Sequence, residues 1–383
     1  MDNKKKKRIA ILTGGGDAPG LNAVIYALTK TCIYKYGYEV IGYKFGYRGL
    51  LLNDYQPITH ETISGIFHKG GSILYNSNKH NLFDFPLKDE NGNFVRDENG
   101  KIVKRDVSDV AVENLKKEGI DTLVVLGGDG SLTSARDFAK KGINVIGVPK
   151  TIDNDLHATD ETFGFNTAVA TVTEALGKIH TTAESHQRVI IVEVMGRNAG
   201  WIALHSGIAG SADVILLPEI PYKLEHIVQK IEERDKRGKP FSIIVVSEGA
   251  KEEGGQQTVD RIVEDSPDAV RLGGIAHKLS NQLEKLISDD HEVRPVVLGH
   301  IQRGGETSAY DRILSARFGS YAAKMIEEER YGEMVCIKKG ELTSMPFDLV
   351  VGGQRLIDPD NELIQVARDM GISFGDAPVE ERS

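Results

Sequence analysis

The sequence predicts a doubly wound α/β fold, with mostly parallel strands and with helices on both faces of each sheet. Short runs rich in Val, Ile and Leu recur along the chain, and each ends in glycine or in a polar cluster. Such continuous apolar runs are typical of strands that are buried on both faces of a parallel sheet. Helical patterns lie between the runs, which favours alternation of strand and helix. A chain of 383 residues exceeds what one core usually supports, so we expect two lobes.

The elements follow one another in a regular order. The predicted strands are RIAILTGGG, YEVIGYKFG, TLVVLGGDG, INVIGVPKT, RVIIVEVMG, DVILLPE, FSIIVVSEG and RPVVLGHIQ. After the first strand, the segment from Leu21 to Cys32 keeps its apolar residues on one face at helical spacing. Residues 88–106, KDENGNFVRDENGKIVKRD, contain two Asn-Gly pairs and are predicted as a surface hairpin insertion. The less regular stretch after Met345 is predicted to pack a closing strand and helix on the second lobe.

Composition restricts the class of protein and its partners. Apolar residues make up 40% of the chain and charged residues 27%, as in globular proteins, and no run is long enough to cross a membrane. A net charge of −9 without a basic stripe argues against nucleic acid or an anionic membrane as the main partner. The two cysteines, Cys32 and Cys336, exclude a disulfide scaffold and favour a cytoplasmic location. We interpret the basic start, MDNKKKKRIAIL, as a solvated tail and not as a signal peptide.

Two glycine-rich turns follow predicted strands and open predicted helices. In TGGGDAPGLN, residues 13–22, glycines that include Gly16 let backbone amides approach an anion, although neither a Walker A loop nor a dinucleotide fingerprint is present. In LGGDGS, residues 126–131, Asp129 is a candidate Mg²⁺ ligand, and Gly128 and Gly130 leave space for phosphates. A plain tight turn and a helix cap at Asp129 are the alternatives. Two such loops in one lobe favour phosphate binding.

The segment PKTIDND, residues 149–155, brings a cation, a hydroxyl group and two carboxylates to the end of a strand. In an extended backbone residues two apart face the same way, so Thr151, Asp153 and Asp155 can line one face. A carboxylate there can accept a proton from an alcohol that attacks phosphorus. Lys150 can neutralise phosphate charge. The alternative is an Asx-turn cluster that fixes a loop.

The second half of the chain supplies cations at the ends of apolar runs. Arginine suits phosphate because its planar fork can donate two parallel hydrogen bonds. The candidate arginines are Arg188, Arg197, Arg294 and Arg303. They occur together with Glu248, His300 and the turn MGRNAG. Since ligands bind at the carboxyl ends of the strands in open α/β sheets, we expect a phosphosugar pocket between the two lobes.

Together these motifs closely resemble 6-phosphofructokinase of the bacterial type, and in particular its mixed-substrate branch. The resemblance runs from about Arg8 to Phe374 and rests on GGDAPGLN, GGDGS, PKTIDND, ESHQR, EVMGRNAGW and LGHIQRGG. It implies two similar three-layer α/β/α lobes with mostly parallel sheets. Residues 1–164 and 302–352 are expected to bind the phosphoryl donor, and residues 165–301 and 353–383 the sugar. The implied reaction is Mg²⁺-dependent transfer to the 1-hydroxyl of fructose 6-phosphate in glycolysis, giving fructose 1,6-bisphosphate.

The resemblance also implies roles for residues that handle the donor and the reacting groups. Asp153 resembles the base that accepts the 1-hydroxyl proton, and Asp129 resembles the Mg²⁺ ligand. Arg197 resembles the cation at the reacting phosphoryl group, and Thr151 contacts the sugar beside the base. The residues expected around the donor phosphates are Gly16, Lys79, Gly128, Asp129, Gly130 and Ser131.

A further set resembles the family's sugar-binding residues. The residues expected at the sugar and its 6-phosphate are Met195, Gly196, Glu248, His300 and Arg303. Arg188 and Arg294 resemble residues that reach fructose 6-phosphate from a neighbouring subunit. The resemblance therefore implies a homotetramer or a homodimer whose sites are shared between subunits.

The identity of the donor depends on two positions. Pyrophosphate enzymes of this family typically carry an aspartate where this chain has Gly130, and a lysine where it has Lys150. ATP enzymes of the bacterial type carry glycine at both positions, so this chain is mixed. An aspartate at position 130 would crowd and repel the α-phosphate of ATP, whereas glycine leaves room for it. ATP is therefore the predicted donor, and a pyrophosphate-dependent or dual-donor enzyme is the alternative.

Two readings from other classes compete with an active phosphofructokinase. A catalytically silent sugar-phosphate-binding subunit would usually have lost the base or the metal ligand, and this chain keeps both Asp153 and Asp129. A NAD or lipid kinase that shares the GGDG turn would lack PKTIDND and LGHIQRGG, which are present here. The intact motifs favour the active enzyme over both.

Overall fold

The structure is a computed structural model that describes residues 6–263, 270–288 and 291–378. Part of the predicted basic tail, residues 1–5, lies outside the described residues. So do residues 264–269, 289–290 and 379–383, which belong to the predicted second lobe.

In chain order the strands are β1 (Arg8–Thr13), β2 (Glu39–Tyr43), β3 (Tyr55–Pro57), β4 (Phe85–Pro86), β5 (Lys104–Arg105), β6 (Thr122–Gly127), β7 (Val145–Pro149), β8 (Val189–Val194), β9 (Val214–Leu216), β10 (Ser242–Ser247), β11 (Val259–Ile262), β12 (Val270–Leu272), β13 (Val293–Val297), β14 (Glu333–Lys338) and β15 (Glu341–Pro346).

Helices alternate with most of these strands. They are α1 (Leu21–Thr31), α2 (Tyr47–Leu52), α3 (Ser108–Lys117), α4 (Asp129–Lys140), α5 (Phe165–His186), α6 (Trp201–Ala209), α7 (Leu224–Lys236), α8 (Ile275–Leu283), α9 (Ala309–Glu327), α10 (Phe347–Val350) and α11 (Glu362–Asp369). A π-helical turn, Cys32–Tyr36, extends α1, and a 3₁₀ turn, Gly299–Arg303, precedes α9. Among the described residues, no helix combines the length and the apolar character that crossing a membrane requires.

Two sheets organise the molecule. The first has seven strands in the order β15-β14-β7-β6-β1-β2-β3. Its five inner strands are parallel, and β3 and β15 pair antiparallel at the two edges. The second sheet, β13-β8-β10-β9, is parallel throughout. Every strand predicted from the apolar runs occurs in one of these sheets, so the predicted α/β class is confirmed.

Each sheet is buried on both faces, which gives three layers in each lobe. In β1, Ile9 belongs to one apolar core and its neighbour Ala10 belongs to the core on the opposite face. The same alternation occurs in β8, where Val192 and Ile191 belong to different cores. Successive side chains in a strand point to opposite faces, so the interior of each of these strands is apolar at nearly every position, with the buried Glu193 of β8 as an exception. Burial on both faces explains the continuous apolar runs in the sequence.

The predicted surface insertion adopts two tight turns of the same kind. Asp89 Oδ1 accepts hydrogen bonds from the backbone amides of Asn91 and Asn93, both at 2.9 Å. Asp97 repeats this arrangement eight residues later with Asn99 and Lys101. Backbone hydrogen bonds join Val95 to Leu87 and Val103 to Val95. The segment is therefore a three-stranded ribbon with two turns, one strand more than the single hairpin that was predicted.

The carboxyl-terminal part of the chain packs on both lobes. Strands β14 and β15 extend the first sheet, and Phe347 and Val350 of α10 join its core. Helix α11 packs on the second lobe, and Ser373 forms a parallel bridge with Val214 of β9. The closing strand and helix predicted for the second lobe thus begin only after α10. The assignment of the donor and the sugar to the two lobes stays a prediction.

Candidate active site

The candidate site lies where strands of both sheets end. Strands β1, β6 and β7 of the first sheet lead directly into the two glycine turns and PKTIDND, and β8 leads into the MGRNAG turn. The 3₁₀ turn that follows β13 reaches back to the first lobe, because Arg303 Nη1 donates a 2.9 Å hydrogen bond to the carbonyl oxygen of Asp17. In the same turn, Gln302 Oε1 accepts a 3.2 Å hydrogen bond from the amide of Met195. The site therefore combines both lobes.

The first glycine turn is held by neighbouring backbone and admits no larger side chains. The Gly14 amide donates to Leu126 O at 2.8 Å, and the Gly15 amide donates to Ser77 O at 3.2 Å. A Cβ at Gly14 would lie 2.4 Å from Ser131 Oγ, and one at Gly16 would lie 3.1 Å from Arg303 Nη1. Lys79 lies two residues beyond Ser77 with its side chain exposed. The Lys79 segment therefore lies beside the turn, and the role of Lys79 at the donor stays a prediction.

The second glycine turn forms the amino-terminal end of α4, with Asp129 as its first residue. The Asp129 carboxylate is partly buried, and its Oδ1 accepts a 3.1 Å hydrogen bond from the amide of Gly352. A Cβ at Gly128 would meet only the carbonyl oxygen of Lys150, at 3.4 Å, whereas a Cβ at Gly130 would meet nothing within 4 Å. Position 130 therefore faces open space.

Lys150 is a buried cation between the two turns. Its Nζ donates a 2.6 Å hydrogen bond to the carbonyl oxygen of Gly16, and only 5% of the residue is exposed. Burial, reinforced by the positive charge of Arg303, lowers the pKa of Lys150 to about 8. The negative charges of Asp153, Asp17 and Asp155 act in the opposite direction. The ammonium group is thus directed at the phosphate-binding turn.

Asp153 presents an unsatisfied acceptor. Its Oδ1 is buried and has no hydrogen-bond partner among the described residues. Burial raises the pKa of Asp153, while the charges of Arg303 and Lys150 partly offset this effect. The loop itself is ordered locally, since the Asp153 amide donates to Thr151 Oγ1 at 3.1 Å. A buried carboxylate between two cations is a suitable acceptor for a substrate proton.

Two further carboxylates surround this group. Burial, together with the nearby charges of Asp153 and Asp129, raises the pKa of Asp155 to about 7. Burial and the charge of Asp153 likewise raise the pKa of Glu248 to about 7. A cluster of carboxylates that resists full ionisation in a cleft is typical of a functional site.

The MGRNAG turn is fixed by residues that sequence reasoning did not single out. Gly196 has a φ of 136°, which favours glycine. Its carbonyl oxygen accepts hydrogen bonds from Ser247 Oγ at 2.6 Å and from the Gly249 amide at 3.1 Å. Gln257 Nε2 donates to the carbonyl oxygen of Arg197 at 2.9 Å. The only signal for these supporting residues is that SEG follows β10, because the contacts join distant parts of the chain.

The structure does not bring every predicted residue together within one chain. Arg188 precedes β8, whereas the MGRNAG turn follows the six residues of that strand, so the two ends lie roughly 20 Å apart. Arg294 pairs in register with Ile190, near the same end, and both arginines form ion pairs with Glu292. His300 lies on the 3₁₀ turn with its side chain exposed. Arg188 and Arg294 therefore face away from their own chain's site.

A segment after α10, residues 352–357, also contacts the site, and sequence reasoning missed it. Gly352 contacts Asp129, and Gln354 Nε2 donates to Asp155 Oδ2 at 3.3 Å. Arg355 Nε donates to the carbonyl oxygen of Asn154 at 3.1 Å. The available local signal was the glycine pair Gly352 and Gly353, which follows the short apolar run of residues 349–351.

The described residues hold no group of three or more His, Cys, Asp or Glu side chains arranged for a metal ion. This does not conflict with Mg²⁺, which usually binds one or two carboxylates together with substrate phosphates and water. Asp129 has the required oxygen ligand at a helix start beside the phosphate-binding turns. The donor set thus fits a magnesium ion that arrives with a phosphorylated ligand.

Glycine turns, buried cations and a buried carboxylate oxygen without a partner among the described residues, at the strand ends of an α/β fold, are the parts that a phosphotransferase uses. The family model described as phosphofructokinase matches residues 8–326. The chain is 63% identical over 370 residues to ATP-dependent 6-phosphofructokinase 2 of Clostridium perfringens, which covers 97% of this chain and 99% of the relative. It is 45% identical over 373 residues to ATP-dependent 6-phosphofructokinase of Chloroflexus aurantiacus, again with 97% and 99% coverage.

A solved structure gives the same assignment. Phosphofructokinase from Saccharomyces cerevisiae aligns with a TM-score of 0.73 at 30% sequence identity, covering 90% of this chain and 45% of the yeast chain. The chain therefore belongs to the phosphofructokinase family, and the phosphofructokinase fold inferred from the sequence motifs is confirmed.

Proposed function

We propose that this chain transfers the terminal phosphoryl group of ATP to the 1-hydroxyl of fructose 6-phosphate, giving fructose 1,6-bisphosphate and ADP. Relatives at 63% and 45% identity carry the name ATP-dependent 6-phosphofructokinase. The observation that carries the mechanism is the buried, unpaired Oδ1 of Asp153. Leaving a buried acceptor unsatisfied costs free energy, and an incoming sugar hydroxyl group would satisfy it.

In this mechanism Asp153 acts as the general base. The 1-hydroxyl group donates a hydrogen bond to Asp153 Oδ1 and gives up its proton as its oxygen attacks the terminal phosphorus of ATP. The bond from that phosphorus to the bridging oxygen breaks, and ADP leaves with the electron pair. The pKa of Asp153 is raised toward neutral pH. A general base works best when its pKa lies near the operating pH.

Positive charge from both lobes would stabilise the transferring group. Phosphoryl transfer depends mainly on positioning and on electrostatic stabilisation of the equatorial oxygens. Lys150 and Arg303 both lie in the segments assigned to the donor, where they donate to the carbonyl oxygens of Gly16 and Asp17. Arg197, on the MGRNAG turn, would supply a cation from the second lobe. Thr151 would contact the sugar beside the base.

Asp129 would hold Mg²⁺, and the ion would neutralise negative charge on the donor phosphates. The chain's own groups around it are the backbone amides of the glycine turns and the amino-terminal end of α4, which favour negative charge. Residues of the donor site are Gly16, Lys79, Gly128, Gly130 and Ser131. We assign residues 1–164 and 302–352 to the donor and residues 165–301 and 353–383 to the sugar, since the glycine turns and the MGRNAG turn lie in different sheets.

The sugar site requires a second subunit in this proposal. Within one chain, Met195, Gly196, Glu248, His300 and Arg303 provide the candidate sugar contacts. Arg188 and Arg294 lie at the far end of β8 and β13, and they would complete the 6-phosphate site of a neighbouring copy. A homodimer or homotetramer follows from this arrangement, because an isolated chain would lack these two cations.

One observation favours a second candidate function, phosphoryl transfer from pyrophosphate. Lys150 is the residue typical of pyrophosphate enzymes in this family, and its ammonium group reaches the first glycine turn. The open space at Gly130 favours ATP, because nothing there excludes an α-phosphate. We favour ATP because exclusion of the α-phosphate at position 130 distinguishes the two donors more sharply than Lys150, which can serve the phosphates of either.

Asp153→Asn tests the proposed mechanism. Asparagine keeps the shape but cannot accept the proton, so kcat should fall by about 10²- to 10⁴-fold, while calorimetry should still detect fructose 6-phosphate binding. The fold should survive, because burial already disfavours the charged carboxylate. Asp348→Asn is the control, since that side chain is 73% exposed. Near-normal turnover of Asp153→Asn would show that another group removes the proton.

A further inference from the structure

Residues 352–357 form a connecting segment that contacts both lobes at the site. On the first lobe, this connecting segment binds the two loops that carry the candidate metal ligand and the base. The Gly352 amide donates to Asp129 Oδ1 at 3.1 Å, and the Arg355 amide donates to the carbonyl oxygen of Asp155 at 2.8 Å. Gln354 also forms an antiparallel bridge with Leu156. The connecting segment thus acts as an added strand along the end of PKTIDND.

The Arg355 side chain adds a contact at the residue next to the base. Its Nε donates to the carbonyl oxygen of Asn154 at 3.1 Å. Asn154 is buried and has a φ of 52°, in the left-handed region that asparagine adopts more readily than most residues other than glycine. The residue whose backbone Arg355 holds follows Asp153 directly.

The connecting segment also holds the second lobe. The Arg355 guanidinium lies over the ring of Trp201, with 4.4 Å between its Cζ and the ring centroid. The indole Nε1 donates in return to the carbonyl oxygen of Arg355 at 2.8 Å. Glu219 Oε1 accepts from the amides of Gly200, at 3.1 Å, and Ile357, at 3.0 Å. Gly200 ends the MGRNAG turn that carries Arg197, and Trp201 follows it as the first residue of α6.

We propose that Arg355 is a positioning residue for phosphoryl transfer, which holds the loop of Asp153 in register with the turn of Arg197. The inference rests on the proposed function, in which Asp153 is the base and Arg197 is a cation at the transferring group. Its basis is geometric, since one side chain binds the backbone next to the base and also stacks on the first residue of α6. Arg355 touches neither reacting group, so its effect is on their separation.

Replacement of Arg355 should therefore lower turnover more than it lowers binding. Misplacement of reacting groups by about 1 Å can cost about 10²-fold in rate. For Arg355→Ala we expect kcat to fall by about 10- to 100-fold, with KM for ATP and for fructose 6-phosphate changing by less than about threefold. Arg355→Lys keeps a donor and a charge but loses the planar face, so an intermediate kcat is expected. The matched control is Leu356→Ala, because Leu356 is 50% exposed in the same connecting segment.

A spectroscopic signal reports on the same contact. Trp201 is the only tryptophan in the chain, so intrinsic fluorescence reads the indole beneath Arg355. Addition of ATP, Mg²⁺ and fructose 6-phosphate should change this emission in the wild type and in Leu356→Ala. The change should be lost or reduced in Arg355→Ala, and free guanidinium at a non-denaturing concentration should restore part of its kcat.

Each outcome supports or overturns the inference. A kcat for Arg355→Ala within twofold of Leu356→Ala, with a lowered melting temperature alone, would show that Arg355 serves only stability. If Arg355→Ala does not fold, Arg355→Lys and Trp201→Phe decide the matter, and unchanged kcat values in both would overturn the inference. Wild-type turnover is measured first, because its absence would contradict the proposed function. Normal wild-type turnover together with unaffected variants would contradict only the role of Arg355.

Discussion

Gly130→Asp should separate ATP from pyrophosphate as donor. A side chain fits at this position, because an added Cβ meets no atom within 4 Å. The backbone there has no positive φ that would require glycine. An aspartate in the first turn of α4 is also compatible with the helix dipole. The substitution should therefore leave the fold intact and place a carboxylate in the space assigned to the α-phosphate of ATP.

The size of the effect follows from electrostatics. Two unit charges about 4 Å apart repel by about 4 kcal/mol at an effective dielectric constant of about 20. A repulsion of this size corresponds to a change of about 10³-fold in kcat/KM. Solvent that enters the open space screens part of the repulsion. We expect kcat/KM for ATP to fall by about 10²- to 10³-fold. Pyrophosphate lacks the α-phosphate of ATP, so its use should fall far less or should increase.

The assay compares initial rates of fructose 1,6-bisphosphate formation with each donor, at saturating fructose 6-phosphate and Mg²⁺. Gly130→Ala is the matched control, since it adds the Cβ without the charge. Melting temperatures establish that both variants are folded. Equal kcat/KM values for ATP in Gly130→Asp and Gly130→Ala would refute the assignment of position 130 to the donor site.

Two further predictions concern pH and assembly. Glu248→Gln should raise the unfolding free energy of the free enzyme at pH 8 by up to about 3 kcal/mol and leave it unchanged near pH 4. The folded-state pKa of Glu248 is raised to about 7, so the stability of the wild type falls as pH rises toward that value. Urea titrations that give the same pH dependence for the wild type and Glu248→Gln would contradict this prediction. Mixing inactive Asp153→Asn with inactive Arg294→Ala and allowing the subunits to exchange should restore part of the activity, because hybrid oligomers contain intact shared sites. Failure to recover activity in verified hybrids would argue that the Arg294 of each chain serves its own site.

Much of the fold follows from local signals. A strand that is buried on both faces is apolar at nearly every position, so β6 and β8 can be predicted from the sequence alone. The edge strands are harder, because β3 and β15 are short or half-exposed and carry no continuous apolar run. The Asn-Gly pairs predict the insertion, but its third strand depends on the backbone pairing of Val95 with Leu87 and with Val103.

The candidate site is predictable only in part. Strand ends with clustered glycine and aspartate indicate Asp129 and Asp153, because parallel strands bring their carboxyl ends to one edge. Supporting residues such as Gln257 and Arg355 reach the site through contacts with residues far away in the sequence. The glycine pair before Arg355 gives a local signal, but these long-range contacts cannot be deduced from it. The displacement of Arg188 and Arg294 from their own chain's site likewise appears only once the register of β13 and β8 is known.

The central claim is that this chain phosphorylates fructose 6-phosphate with ATP. The direct measurement is a pair of initial rates for the purified wild-type protein with Mg²⁺ and fructose 6-phosphate, with ATP in one reaction and pyrophosphate in the other. The open space at Gly130 predicts a kcat/KM for ATP that exceeds that for pyrophosphate. Turnover with pyrophosphate that equals or exceeds turnover with ATP would show that Lys150 outweighs that space, and it would contradict the assignment of ATP as the donor.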